Sequence, residues 1–389
     1  MIPRPESLSA PGTKTAAELL GWRPQHGVLS LYVHLHPGDR GEGWHTEVRN
    51  GLAAALSNGN GPECADRESR RALEATTERL ERDLLEQLPR GEPRGLIGFV
   101  EIALAEGKER WYATQLPPRR TEVLHGPVAQ IHPLLELLDD GASLGVAVVS
   151  SERVRLLDWR LGRAEQLHDW ELEYFGEDWS ERKAQRPRDP ARGSAVSAAG
   201  RDQYDQRLEA NRERFAEQTG GLARAEAKKR GWRETLIFGD QRYVRQFARG
   251  FGPASGLRHA DDADLISDPI PQIKRRVEEM LPQLNRDRER SLIEHIKEAA
   301  YAEGRSSLGL QATLQALQEG RVEHLVYDAG RDYSEAVLGP TGGPGSNGLP
   351  LIERMIEYAL STSGAITPVE GESAELLEEQ DGVVSLLRY

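Results

Sequence analysis

The alternation of apolar and polar positions divides the chain into strand-like and helix-like segments. The run GVLSLYVHL from Gly27 to Leu35 mixes β-branched, aromatic and leucine residues, which predicts a buried strand. From Glu68 to Leu88, leucines recur near helical spacing among charged residues, which predicts an amphipathic helix. Strand-like runs from Gly95 to Leu104 and from Trp111 to Leu116, with a short helix from Ile131 to Leu138, complete a first mixed α/β domain.

The next segment predicts a second α/β layer domain, because strand-like runs in it are followed by helices. Three strand-like runs from Ser143 to Glu173 are separated by the turns SSER and RLGR, which predicts an antiparallel meander. A polar tract from Gly176 to Ala199 then precedes a long polar helix, predicted from about Gly200 to Arg230. The remaining predicted elements are a strand from Glu234 to Phe238, a helix after Gly239, a strand at Leu265 and Ile266, and a charged helix from Ile270 to Leu284.

The last segment predicts a compact α/β/α sandwich, because its strands and helices follow one another in a βαβ-like order. It begins with helices from Arg288 to Glu319 and continues with the strand VEHLVYD, the glycine-rich loop GPTGGPGSNG, a helix from Leu349 to Leu360, and the strands AITPV and GVVSLLRY. The pattern therefore predicts an α/β protein of three domains, over residues 1–137, 138–284 and 285–389.

Charge is distributed unevenly along this pattern. The whole chain has a formal net charge of -13, which disfavours nonspecific attraction of its surface to nucleic acid, and no DNA partner is expected. From Arg182 to Arg249, however, 17 Lys and Arg residues stand against 9 Asp and Glu residues, a net +8 that leaves -21 for the rest. The chain thus has one basic region in an acidic body.

Several classes of chemistry are disfavoured. The single cysteine, Cys64, has no second thiol for a disulfide or a shared zinc ion. His34 and His36 lie on one face of the first strand, but no carboxylate or third histidine stands at motif spacing, so no metal is expected. The glycine-rich run from Thr341 to Gly348 lacks the Lys-Ser/Thr of a phosphate-binding loop, and no cofactor is expected.

The apolar runs are all far shorter than the roughly 20 residues that span a bilayer, so no membrane segment is expected. The opening stretch MIPRPESLSAPGTKT has no apolar core behind its basic residues, which argues against a secretory signal. A cytoplasmic location is therefore expected.

The stretch from Arg192 to Phe215 contains the best candidate site. If Asp202 caps the helix, Gln203 lies in its first turn, and Gln203, Arg207, Asn211 and Arg214 form one polar stripe. A basic loop at a helix N-terminus suits a polyanion such as RNA. The candidate RNA-binding residues are Arg182, Lys183, Arg186, Arg188, Arg192, Arg201 and Arg207.

From about Gly27 to Tyr389 the chain resembles the bacterial members of the archaeo-eukaryotic peptide-chain release factor and Pelota-like superfamily. The resemblance rests on LSLYVHLHP, on VAVVSSERVRLLDW at the start of the middle domain, and on the order of GRVEHLVYD, LIERMIEYALSTSGAITPV and GVVSLLRY. It implies an RNase H-like middle domain and a last domain with the fold of kink-turn-binding ribosomal proteins. It also implies the ribosome and tRNA as partners, and it leaves open whether a translational GTPase assists.

In that family the middle domain carries a Gly-Gly-Gln loop, with an arginine four residues after the glutamine. Gln203 and Arg207 match the glutamine and the arginine, which makes Gln203 the candidate catalytic residue. Arg201 and Asp202 stand where the family has its two glycines. Glycines let a backbone adopt unusual torsions and approach RNA closely, whereas Asp202 would bring a carboxylate towards phosphates.

Three hypotheses follow. The enzymatic one is ribosome rescue by peptidyl-tRNA hydrolysis, in which Gln203 orients water, since glutamine has no titratable proton to transfer. The second is a noncatalytic ribosome-binding protein, a hibernation factor with a degenerate loop. The third is a nuclease on the RNase H-like fold, for which the strands offer only Asp158 as a well-placed carboxylate for metal ions.

Overall fold

The computed structural model describes residues 10–35, 42–58, 67–87, 93–172, 193–253, 256–261, 263–302, 304–333 and 349–389. It divides into two compact units, of which the first is discontinuous and joins Met1–Gly141 to Glu279–Tyr389. The second unit comprises Ala142–Glu278. Three separate sheets with covering helices confirm the predicted α/β class.

The N-terminal part of the first unit is an antiparallel sheet of order β3-β2-β1-β4. Strand β1 lies inside the sheet, and its apolar run is buried as predicted. Leu29, Leu31 and Val33 point to one face of it and share a core with Trp44 and Leu80 of the covering helices. The elements are α1 (Thr13–Leu20), β1 (Val28–His34), α2 (Glu42–Asn58), α3 (Arg67–Gln87), β2 (Gly95–Glu101), β3 (Glu109–Thr114), β4 (Glu122–Gly126) and α4 (His132–Asp140).

The second unit contains a five-stranded sheet of order β7-β6-β5-β8-β9. Strands β5, β6 and β7 form the predicted antiparallel meander, and β5, β8 and β9 run parallel. Two helices, α5 and α6, cover one face through a core that includes Ala223, Val244 and Phe247. The elements are β5 (Leu144–Val149), β6 (Arg153–Arg160), β7 (Arg163–Glu171), α5 (Gly193–Arg230), β8 (Glu234–Gly239), α6 (Gln241–Phe251) and β9 (Leu257–Asp261).

The C-terminal part of the first unit contains the third sheet, of order β10-β13-β11-β12, in which only β11 and β12 are parallel. Its core joins Val326, Val369 and Val384 of the strands to Ile293 and Ile296 of a long helix. The elements are the part of α7 (Ile270–Ala302) from Glu279 onwards, β10 (Ser306–Leu308), α8 (Leu310–Gln318), β11 (Val322–Asp328), α9 (Leu351–Ser361), β12 (Ala365–Val369), α10 (Glu372–Glu375), a 3-10 turn (Glu378–Gln380) and β13 (Val383–Leu387).

Polar contacts join the two parts of the first unit. The backbone N–H of His132 in α4 donates to Glu353 Oε1 in α9 at 3.0 Å, and His132 Nδ1 lies 3.0 Å from the same oxygen. Arg119 donates to both carboxylate oxygens of Asp140, and its Nη1 lies 2.7 Å from Glu370 Oε2. Glu353 is thereby held in the interior of the unit, where it is 1% exposed.

The structure corrects the predicted strand at Leu265 and Ile266. The last strand of the second sheet is β9, and residues 263–266 form no strand. Two apolar residues between aspartates are too short a run to pair along a sheet edge. The buried Arg155 instead donates to the backbone carbonyl of Ile266 at 3.1 Å, which fixes this connection.

The predicted end of a helix at Leu284 is also wrong. Helix α7 continues to Ala302 with Pro282 inside it, because Ile293 and Ile296 of its C-terminal half are buried in the core of the third sheet. The proposed domain boundary between residues 284 and 285 therefore falls within one helix.

Candidate functional site on helix α5

Helix α5 begins at Gly193, seven residues before the predicted start. The prediction that Asp202 caps this helix is therefore wrong. Alanine has the highest helix propensity, and the run GSAVSAA extends the helix across Gly200, which opposes helix formation by about 1 kcal/mol. Gln203 consequently lies about 15 Å along the helix axis from its first residue, within the helix rather than in a loop before it.

The structure describes some of the predicted site residues fully, some only in their backbone, and others not at all. For Arg201 and Gln203 the structure describes a helical backbone, and their side chains lie outside the described residues. Arg207 is described and exposed. The other predicted RNA contacts lie outside the described residues: Arg182, Lys183, Arg186, Arg188 and Arg192.

Close backbone contact holds the C-terminal part of α5 against α6. A Cβ atom added to Gly220 would lie 2.1 Å from the carbonyl oxygen of Phe247. A Cβ atom added to Gly250 would lie 1.7 Å from the carbonyl oxygen of Glu217. No side chain fits at either distance, so the two glycines allow the helices to approach more closely than larger residues would.

Farther towards its N-terminus, α5 is held by a group of charged residues that we call the α5 clamp. It consists of Glu152 in the β5–β6 turn, Glu209, Arg212 and Glu213 of α5, and Arg242 of α6. Arg212 pairs with Glu152, while Arg242 lies 2.9 Å from Glu209 Oε1 and 3.0 Å from Glu213 Oε1. The clamp therefore fixes α5 against both the turn and α6.

The clamp also affects a neighbouring tyrosine. Tyr243 Oη donates to Glu209 Oε1 at 3.0 Å. Burial raises the pKa of Tyr243, and the hydrogen bond to the Glu209 carboxylate raises it further. The phenol is thus kept as a neutral donor to the clamp.

The described side chains just N-terminal to the clamp are exposed. Leu208 is half-buried, whereas Asp205, Gln206 and Arg207 are all exposed. Helix α5 is thus anchored from Leu208 onwards, and the residues just before it face solvent. The sequence does not predict the clamp, because its residues come from three elements. The i, i+3 spacing of Glu209 and Arg212 on one helix is the part of it that a sequence pattern could reveal.

Asp158, the carboxylate of the nuclease hypothesis, has structural partners. The indole Nε1 of Trp232 donates to its Oδ1, and Arg230 Nη1 lies 3.6 Å from its Oδ2. Among the described residues, no group of three or more His, Cys, Asp or Glu side chains is arranged to hold a metal ion. The described geometry therefore gives the nuclease hypothesis no support.

On the far edge of the same sheet, β7 is tied to α5 and to β6. His168 stacks on Trp170 with ring centroids 4.8 Å apart, and its Nε2 lies 3.6 Å from Glu226 Oε1. Arg153 donates to both carboxylate oxygens of Asp169, at 2.8 and 2.7 Å. This bidentate pair lowers the pKa of Asp169.

In the part of the chain that the structure describes, no helix is both long and apolar enough to span a membrane.

A family model for the bacterial archaeo-eukaryotic release factor family 5 matches residues 142–254. The matched range begins with the second unit and includes α5, the clamp and α6. Over residues 142–254 the predicted resemblance to release factors is confirmed. We call residues 142–278 the release-factor-like unit from this point. A search of curated proteins gave no match.

Solved structures give remote similarities. The archaeal translation termination factor aRF1 is 17% identical with a TM-score of 0.24, and the alignment covers 97% of this chain and 96% of that one. Archaeoglobus fulgidus Pelota is 14% identical with a TM-score of 0.33, over 76% and 79% of the two chains. The ribosome-bound archaeal Pelota is 11% identical with a TM-score of 0.37, over 98% and 95%. The family match over residues 142–254 is the comparison that bears on function.

Proposed function

We propose that this chain is a ribosome-associated, release-factor-like protein that presents the N-terminal part of α5 to the acceptor end of a tRNA. The observation that carries the proposal is the family match over residues 142–254, which includes a helix anchored by a clamp and exposed just before it. The tRNA acceptor end and the surrounding ribosomal RNA are polyanions. The basic segment before α5 supplies the complementary charge.

Peptidyl-tRNA hydrolysis by Gln203 is the activity proposed for this protein. Glutamine cannot transfer a proton, so its contribution is to orient a water molecule at the ester, while the ribosome supplies most of the environment of the transition state. The reaction adds water across the ester bond and leaves a free peptide and a tRNA with a free 3′ hydroxyl group.

Release of labelled peptide from ribosomes that carry peptidyl-tRNA tests this activity. The Gln203→Ala variant should lose release while it still binds ribosomes, because the substitution removes the side chain that orients water and leaves the clamp intact. Equal release by wild type and variant would exclude a role for Gln203.

A noncatalytic ribosome-binding function is the second candidate, and one observation favours it. Gln203 lies within a continuous helix, and Arg201 and Asp202 replace the two glycines of the family loop. A helical backbone has its amides engaged and lacks the torsional freedom that glycines would give. On this hypothesis the protein occupies idle ribosomes, as hibernation factors do, and releases no peptide.

Replacing Arg201 and Asp202 with glycines separates the two candidates. If Arg201 and Asp202 limit hydrolysis, the Gly-Gly variant should release peptide faster than wild type, and adding Gln203→Ala should abolish the gain. If wild type already releases peptide efficiently and the Gly-Gly variant is slower, Arg201 and Asp202 form a working version of the motif.

The remaining parts of the proposal follow from the ribosome as partner. The cytoplasm is the proposed location, and a translational GTPase is a further proposed partner. Sedimentation with ribosomes, with and without GTP-bound GTPase, would measure whether such a partner changes binding.

A further inference from the structure

The solvent-facing side of α5 carries cations that its own acidic residues do not neutralise. Each described glutamate of α5 is held in an ion pair: Glu209 and Glu213 by Arg242, Glu217 by Arg249 at 3.9 Å, and Glu226 by Arg230 at 3.1 Å. In contrast, Arg207, Arg214 and Lys228 are exposed and form no ion pair with any residue that the structure describes. The glutamates of α5 are thus neutralised by ion pairs, while these three cations remain available to a ligand.

These cations lie on one stripe of the helix. With 100° between successive residues, Arg214 lies about 20° and Lys228 about 60° around the axis from Arg207. Asp205, the remaining described acid of α5, lies about 160° away, on the opposite side. We call the face that carries Arg207, Arg214, Gln218 and Lys228 the basic stripe. From Arg207 to Lys228 it is about 32 Å long.

Small residues occupy the middle of the basic stripe. Gly221 and Ala225 are exposed between Gln218 and Lys228, so nothing bulky keeps a polymer backbone away from the helix there. Gln218 adds a neutral amide that can donate to phosphate or ribose oxygens. Arginine also suits bidentate contact with phosphate.

A protein partner fits the basic stripe less well. Stable protein interfaces have an apolar, desolvated core and are depleted in lysine. Among the described residues of α5, the large apolar side chain that is exposed is Leu222. It is 51% exposed and lies at the border of the basic stripe. An extended row of cations and amides matches the repeating phosphates of a nucleic acid backbone more closely.

We propose that the basic stripe, from Arg207 through Arg214 to Lys228, binds the phosphate backbone of RNA along the outer side of α5. The proposal rests on the proposed ribosomal function and deepens it, since it extends RNA contact well beyond the region of Gln203. The stripe supplies affinity and orientation without sequence specificity, because phosphates carry no sequence information.

Fluorescence anisotropy with a fluorescein-labelled RNA hairpin tests the basic stripe on the full chain. The Arg214→Gln/Lys228→Gln variant should bind about tenfold more weakly than wild type, and the slope of log affinity against log salt should fall by about 1 per residue. A matched control, Arg163→Gln/Arg275→Gln, removes two exposed cations of the same unit that also lack ion pairs with described residues. It should bind like wild type.

Two further experiments distinguish loss of charge from misfolding, and RNA from an acidic protein partner. Arg214→Lys/Lys228→Arg retains the charge and should retain the affinity, which separates lost charge from misfolding. Equal loss of affinity in the control and in the stripe variant would overturn the proposal, as would no loss in either. A polyglutamate peptide bound as strongly as the hairpin, and weakened equally by the stripe variant, would assign the stripe to acidic proteins instead.

Ribosome sedimentation distinguishes this proposal from the proposed function. If the hairpin result holds but the chain does not sediment with ribosomes, the stripe stands and the ribosomal function fails. If the chain sediments with ribosomes but the stripe variant binds the hairpin as well as wild type does, the stripe is wrong and the ribosomal function stands.

Discussion

Among the described residues, the buried carboxylates all lie in the first unit. In the first unit Glu136, Glu289 and Glu353 are all buried, and burial raises the pKa of Glu136 and of Glu289. In the release-factor-like unit, hydrogen bonds from Arg153 and Arg230 lower the pKa of the surface groups Asp169 and Glu226.

The buried carboxylates of the first unit affect its stability, whereas the surface charges of the release-factor-like unit affect what it can bind. Burying a carboxylate disfavours its charged form, so the first unit depends on the few hydrogen bonds that compensate for burial. The release-factor-like unit pairs its acids at the surface, where each pair contributes little to stability. Because the glutamates of α5 pair with other arginines, the cations of the basic stripe remain free to contact a ligand.

The largest effect is expected from Glu353→Ala in the first unit. The substitution removes the acceptor of the His132 backbone N–H and ring nitrogen and leaves a cavity, which should lower the free energy of unfolding by about 2–3 kcal/mol. Urea denaturation followed by circular dichroism measures this value. Glu319→Ala, at an ion pair on the surface of the same unit, is the control and should leave the stability unchanged. Equal midpoints for the two variants would contradict the contrast.

In the release-factor-like unit, the largest effect on stability should come from backbone packing. Gly250→Ala would place a Cβ atom 1.7 Å from the carbonyl oxygen of Glu217, so α5 and α6 must move apart, with a destabilisation of about 1–3 kcal/mol. Gly221→Ala is the matched control, because its added Cβ atom would lie 3.7 Å from the carbonyl oxygen of Gly250, an ordinary contact distance. It should stabilise the helix by about 0.5–1 kcal/mol. Destabilisation by both variants would show that helix separation is not the cause.

The pH dependence should have opposite signs in the two environments. A raised pKa means that the folded state binds a proton more tightly, so the Glu136 contribution to stability should increase as the pH falls towards the ordinary value of 4.5. The lowered pKa of Asp169 gives a contribution that is lost as the pH falls below the ordinary value of 3.8. Carboxyl carbon chemical shifts measure each midpoint. A Glu136 midpoint below that of Asp169 would refute the contrast.

The smallest effect on stability is expected from Glu209→Gln in the α5 clamp. Loss of a partly exposed ion pair should change the free energy of unfolding by less than about 1 kcal/mol. The N-terminal part of α5 should nevertheless vary more in its orientation relative to the sheet of the same unit. Spin labels at Gln206 and Arg163 would report this as a broader distance distribution, whereas Glu323→Gln in the first unit should leave the distribution unchanged. An unaltered distribution in Glu209→Gln would exclude a positioning role for the clamp.

The sequence predicts elements with a strong apolar period and misses those whose stability comes from tertiary contacts. The runs GVAVVS and VEHLVYD are correctly predicted as strands because their side chains are buried. Strand β4, EVLHG, is only half-buried and gives no clear alternation, so it was not predicted. The helix predicted to end at Leu284 continues to Ala302, because its later residues Ile293 and Ile296 are buried against strands that lie far away in the sequence.

The candidate site was only partly predictable for a related reason. The match of Gln203 and Arg207 to a known motif identified α5, because a motif depends on local spacing. The helical run before Gly200 was overlooked because small residues suit both loops and helices. The α5 clamp and the close contact at Gly250 join residues far apart in the chain, and local patterns do not reveal such contacts.

Sedimentation through a sucrose cushion tests most directly whether the release-factor-like unit binds ribosomes through the basic stripe. The account predicts that the full chain pellets with ribosomes at low salt, that raising the salt releases it, and that Arg214→Gln/Lys228→Gln releases it at lower salt than Arg163→Gln/Arg275→Gln does. A chain that stays above the cushion at low salt, or binding that does not change with salt, would contradict the account.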